Sequence, residues 1–129
     1  MTMLLVLLTA CATDPTPTDT AVPLEPTLTN VQAEVFGPSC AFSGCHGDGK
    51  GSAHLSLKQG VAYANLVGIA ADGDATQTRV IPGDAEGSYL VMKLEDASGI
   101  TGDVMPSTPL DADRIQLVRD WIDAGAQDN

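Results

Sequence analysis

Two thiols stand close together at Cys40 and Cys45, with Ala41, Phe42, Ser43 and Gly44 between them and an imidazole, His46, directly after the second. Three chemistries suit such a set. The sulfurs can oxidise to each other in an oxidising compartment, with His46 a bystander. They can bind zinc as thiolates, for which Cys40, Cys45, His46 and His54 are the suitable ligands of the folded part. Or both can be alkylated by a cofactor that is then held covalently while the adjacent imidazole is delivered to its metal; the Cys-His ending favours this third chemistry. The remaining cysteine, Cys11, lies well apart and needs its own explanation, since an odd number in an exported chain leaves one over.

Positioning these groups falls to helices. Thr29 can cap a first helix with Gln32 reaching back to it, and Gly37-Pro38 should end that helix just before the cysteines. Around Gln59 to Val67 the residues Ala62, Tyr63, Leu66 and Val67 share one helical face, and Gly68 is a natural stop. A loop rich in Gly, Asp and Thr then runs to Arg79-Val80-Ile81-Pro82-Gly83, after which Asp84 can cap a third helix carrying Leu90, Val91 and Leu94. The clearest helix spans a cap near Asp111 to about Ala124, with Ile115, Val118 and Ile122 as its stripe, Trp121 beside it and Gly125 beyond its end. No strand pattern and no internal repeat stand out, so the expected fold is all-α, with about four helices and long loops.

The chain has 129 residues, which allows one compact domain and a tail. Its aromatics are few, namely Phe36, Phe42, Tyr63, Tyr89 and Trp121, so a bound cofactor would help to fill the core. A net charge of −11 argues against nucleic acid or anionic lipid as a direct partner and is compatible with a basic protein partner or with plain solubility. From Ala12 to Leu28, Pro15, Pro17, Pro23 and Pro26 prevent helix or sheet from starting and suggest a disordered tether. Extended, it would reach about 50 Å. The division expected is a leader over 1–10, a tether over 11–28 and a folded domain over 29–129.

Cys45-His46, followed by Val104-Met105-Pro106, Pro109-Leu110 and a terminal Trp121-Ile122-Asp123-Ala124-Gly125-Ala126, resembles the small cytochrome c domains. Arg79 to Gly83 with Ser88-Tyr89-Leu90 is similar to the segment before the ligand methionine in planctomycete and myxobacterial cytochrome c-like domains. The resemblance covers about Thr29 to Gln127 and departs from the usual Cys-x-x-Cys-His spacing, four residues standing between the cysteines here. Longer spacing occurs within cytochromes c, and Gly44 eases the bulge it requires.

What the resemblance implies is one haem c, bound covalently through Cys40 and Cys45, with His46 as proximal and Met105 as distal iron ligand. Arg79 would meet a haem propionate, Trp121 would pack in the core near the ring, Met92 would fill a gap from within the third helix, and His54 would be a surface loop residue. The implied task is electron transfer to and from redox protein partners, without catalysis. Two other classes stay open: a ligand-sensing haem protein or weak peroxidase, if the methionine side of the iron is open, and a cofactor-free surface lipoprotein with a Cys40–Cys45 disulfide. No Ser/His/Asp arrangement, phosphate-binding loop or carboxylate cluster suggests an enzyme site.

Leu8-Thr9-Ala10-Cys11, directly behind the apolar run Leu4 to Leu8, resembles the lipobox of a bacterial lipoprotein signal peptide. The run is short and no basic residue precedes it, the first being Lys50, so a translation start upstream of Met1 is expected. Spanning a bilayer takes about 20 residues, so anchoring would be by acyl chains on Cys11. With Ala12 following, the pattern resembles lipoproteins that Gram-negative bacteria send to the outer membrane, and the cell envelope is the expected location. A Cys11→Ser chain expressed with a complete leader should leave the membrane fraction for the soluble one. If it stays with membranes as the parent does, the lipid anchor is refuted.

Overall fold

A computed structural model describes residues 22–49 and 52–129. The leader, Cys11 and the first half of the tether lie outside the described residues. Among the described residues there are four helices and no strand, only isolated bridges such as Val67 to Val80 and Ala70 to Thr78.

Helix α1 runs from 28 to 39 in three continuous parts, an α-turn Leu28–Val31, a wide π-turn Gln32–Phe36 and a last turn Gly37–Ser39. Its cap is Thr27, whose Oγ1 accepts from the Asn30 amide at 3.2 Å, and not Thr29 as the sequence suggested. Thr29 is occupied elsewhere: its amide and its hydroxyl both donate to the Asn129 carbonyl. Gln32 likewise donates to the Leu57 carbonyl at 2.9 Å, so the expected capping box does not form. Gly37-Pro38 does not stop the helix either. The Gly37 amide reaches back five residues to the Gln32 carbonyl. This widened turn precedes Pro38, which has no N–H to offer and whose ring would press on a carbonyl in a regular α-turn.

Helix α2, Ala62–Leu66, is shorter than the pattern suggested, because a turn closed by the Val61 amide on the Lys58 carbonyl occupies the residues before it. Helix α3, Tyr89–Leu94, starts five residues after Asp84. That carboxylate instead closes a turn, accepting from the Gly87 amide at 2.8 Å, while the Ser88 hydroxyl donates to the Asp84 carbonyl. Helix α4, Ala112–Asp123, matches expectation at both ends: Asp111 accepts from the Arg114 amide, and Gly125 follows in the left-handed region at φ 108°.

The apolar cluster joins Val31, Val35 and Phe36 of α1, Ala62 and Leu66 of α2, Val91 and Leu94 of α3, and Leu117, Val118, Trp121 and Ile122 of α4, with Leu55, Leu57 and Val80 from the loops. Helix α4 is the common partner, packing on both α1 and α3. Its buried stripe is Leu117, Val118, Trp121 and Ile122, rotated slightly from the expected one, with Ile115 only half-buried. Trp121 also donates to the Gln127 carbonyl at 2.9 Å, which pins the chain that follows α4. Ile122→Ala should lower stability by about 2–5 kcal/mol, as core truncations do, and Gln116→Ala on the exposed face by less than about 0.5 kcal/mol. Urea unfolding followed by circular dichroism measures both.

Candidate functional site

The end of α1 delivers Cys40. Its amide and that of Ala41 both close on the Phe36 carbonyl, and its thiol lies against the Val35 carbonyl at 3.7 Å. From there the chain makes a tight loop. The Cys45 amide donates to Phe42 and the His46 amide returns to the Cys40 carbonyl at 3.0 Å, so both cysteines and the histidine emerge from one closed turn. Gly44 takes φ 83° at the bend, as its position between the cysteines suggested.

Gly47 has the stricter requirement, which sequence reasoning missed. A Cβ there would lie 2.5 Å from the Phe42 carbonyl oxygen and 2.8 Å from that of Ala41, so the loop folds over a residue that can carry no side chain. On the far side, the Leu57 amide donates to the His46 carbonyl at 2.7 Å and the Ser56 hydroxyl to that of Gly47. His46 is thereby tied through its amide to Cys40 and through its carbonyl to Leu57.

Two cavities meet at this turn. The larger, of about 850 Å³, is lined by Cys40, Phe42, Cys45 and His46 on one side and by the 103–111 segment, including Met105, Pro106, Pro109 and Leu110, on the other. The smaller, of about 230 Å³, runs inward between Leu55, Leu57, Leu66, Tyr89, Leu90, Lys93 and Arg79. Both share Cys40, His46 and Met105. Four residues singled out from sequence, Cys40, Cys45, His46 and Met105, are therefore brought to one space, although Met105 lies far from the others in the chain. The larger volume falls within the range of about 300–1,000 Å³ usual for small-molecule and cofactor sites.

Both signs of charge border it. Arg79 and Lys93 line the inner cavity with Asp72, and Arg114 lines the outer one with Asp103 and with its ion-pair partner Asp111 at 2.8 Å. Arg79 is held by carbonyls, donating to Asn65 at 2.8 Å and to Ala53 at 3.0 Å. Neutral carbonyls fix the guanidinium without cancelling its charge, which leaves it suited to an anionic group in the inner cavity.

The other singled-out residues are placed apart from this space. His54 is exposed on a loop, paired with Asp72 at 3.0 Å, and lines neither cavity. The four suitable zinc ligands are thus not gathered, and among the described residues no three His, Cys, Asp or Glu side chains form a metal-holding group. Trp121 is buried in the core and does not line the cavities. Met92 sits within α3, half-buried. Missed by sequence reasoning are the place of Phe42 at the larger cavity and the bonds of Tyr89 and Lys93 to the 101–103 segment, which leave no pattern in the sequence.

Burial, reinforced by the nearby Cys45 sulfur, pushes the Cys40 thiol from 9.0 up to about 11. At neutral pH this sulfur keeps its proton and is a sluggish nucleophile. Burial penalises its thiolate but not a neutral thioether or disulfide. Comparison of the chain with known protein families, curated proteins and solved structures finds no match.

Since the folded protein holds the proton more tightly, Cys40 adds stability below pH 9.0 that is lost as pH rises through about 11. In cofactor-free protein at pH 8, iodoacetamide should label exposed Cys45 well before Cys40, with the difference vanishing on unfolding. Gly47→Ala, by prising the loop open, should narrow it. Equal labelling rates in the folded parent, read by peptide mass spectrometry, would contradict this account of the turn.

Proposed function

We propose that this chain is a monohaem c-type electron-transfer protein, held at the bacterial envelope through a lipid on Cys11. The observation that carries the reading is the shared cavity, where two thiols and an imidazole from one turn meet a thioether from the far end of the domain. That donor set fits the group. Cys40 and Cys45 are the attachment sulfurs, His46 the nitrogen ligand and Met105 the sulfur ligand to iron. Arg79, fixed by neutral carbonyls at the inner cavity, is the group that would match a carboxylate arm of the cofactor.

Bound there, haem supplies a one-electron couple at its iron. The chain's own residues decide what that couple is used for. With His46 and Met105 both taken as ligands, no coordination position is left for a substrate, which favours electron exchange over catalysis. A soft thioether favours the reduced metal and so raises the potential. Leu55, Leu57, Leu66 and Leu94 belong both to the apolar cluster and to the inner cavity wall, and they keep water from that side. Phe42, about half exposed beside the larger cavity, leaves an apolar surface through which a redox protein could approach. The acidity of the whole chain suits a basic partner.

The ligand assignment is tested on haem-loaded protein. Met105→Ala should abolish the sulfur-to-ferric-iron charge-transfer band, lower the potential and open the ferrous iron to carbon monoxide, whereas Met92→Leu should do none of these. A band that survives in Met105→Ala and vanishes in Met92→Leu would overturn the assignment. Avid carbon monoxide binding by the parent would point instead to a sensing or peroxidase role.

A further inference from the structure

Helix α3 faces the methionine segment with two polar side chains four residues apart, Tyr89 and Lys93, a spacing that puts both on one helix face. Tyr89 is buried, and its hydroxyl oxygen accepts from the Thr101 amide at 2.8 Å. The Lys93 ammonium donates to the Thr101 carbonyl at 2.9 Å and to the Asp103 carbonyl. The Lys93 backbone carbonyl in turn accepts from the Met105 amide at 2.8 Å. On its other side Thr101 donates through its hydroxyl to the Gly73 carbonyl at 3.3 Å.

We infer that Lys93 is a positioning residue for Met105: by gripping the carbonyls of Thr101 and Asp103 it holds the 101–105 segment so that the methionine side chain is presented to the cavity. This rests on the reading of Met105 as iron ligand. The segment has no regular structure of its own, so its conformation depends on bonds from outside. An ammonium has three donors and no acceptor, and its bonds to carbonyls are charge-assisted. Two of those donors go to carbonyls flanking Gly102, two and four residues before Met105. A neutral apolar side chain would keep part of the stem's packing along the cavity wall but leave both carbonyls without this partner. The remaining anchors, at the Thr101 and Met105 amides, do not involve the Lys93 side chain and therefore report on whether the segment stays closed.

The test compares the whole chain with Lys93→Leu, which keeps an apolar stem and removes the donors without adding a second thioether to the cavity wall, and with Lys93→Arg, which keeps donors and charge. Two readouts are taken: amide hydrogen exchange over 101–105, and the sulfur-to-ferric-iron band of the haem-loaded protein. Lys93→Leu should speed exchange at Thr101 and Met105 by about tenfold or more, as expected for a segment released to open locally. It should also weaken the band, and Lys93→Arg should restore both. Unchanged exchange, or faster exchange with an undiminished band, would overturn the positioning role. A parent protein that takes up haem and shows no such band would instead overturn the ligand reading on which that role rests.

Discussion

The bond from the His46 amide to the Cys40 carbonyl, 3.0 Å long, closes the turn from which both thiols and the imidazole emerge. A hydrogen bond of this kind is worth only about 1 kcal/mol net, so its importance is geometric. With four residues between the cysteines, the intervening chain must bulge, and the bulge must leave Cys40, Cys45 and His46 facing the same space. It does so by lying across Gly47, where backbone carbonyls approach closer than any Cβ would allow. The Leu57 amide then fixes the other side of His46. Together these contacts set the histidine relative to the sulfurs.

The second half of the site is built at a distance. Helix α4 packs on α1 and α3, and so sets the end of α1, where Cys40 sits, relative to the face of α3 that holds the methionine segment. Arg119 on α4 adds ion pairs to Glu86 and Glu95, near either end of α3, at 2.7 and 2.9 Å. Such pairs with exposed partners contribute modestly. The buried stripe Leu117, Val118, Trp121 and Ile122 carries most of the coupling. Core and cavity are continuous, since Leu55, Leu57, Leu66 and Leu94 serve both, so filling the inner cavity would complete a wall that the apolar cluster only partly closes.

Sequence was most informative where the determinants are local. The cap at Asp111, the apolar stripe of α4 and the glycine after it depend on neighbours within a few residues, and α4 is found almost as expected. The same reasoning placed the cap of α1 at Thr29, because Thr27 and Thr29 carry the same chemistry and only the distant Asn129 decides between them. Asp84 misled for a related reason: a turn and a helix cap use the same carboxylate-to-amide bond, and Ser88 completed the turn. At the site, the types and spacing of Cys40, Cys45, His46 and Met105 were legible. Gly47 and Lys93 were not, since a close backbone approach and a side chain bonded to loop carbonyls are set by tertiary packing.

The claim on which the rest depends is that Cys40 and Cys45 are attachment sulfurs. The most direct measurement is the mass of the denatured chain after expression with a haem-attachment system and extraction with acid acetone. The account predicts a protein heavier by one haem, with the added mass on the peptide containing both cysteines and no free thiol at either. A chain of unmodified mass, with the colour lost to the solvent or with Cys40 and Cys45 joined as a disulfide, would contradict it.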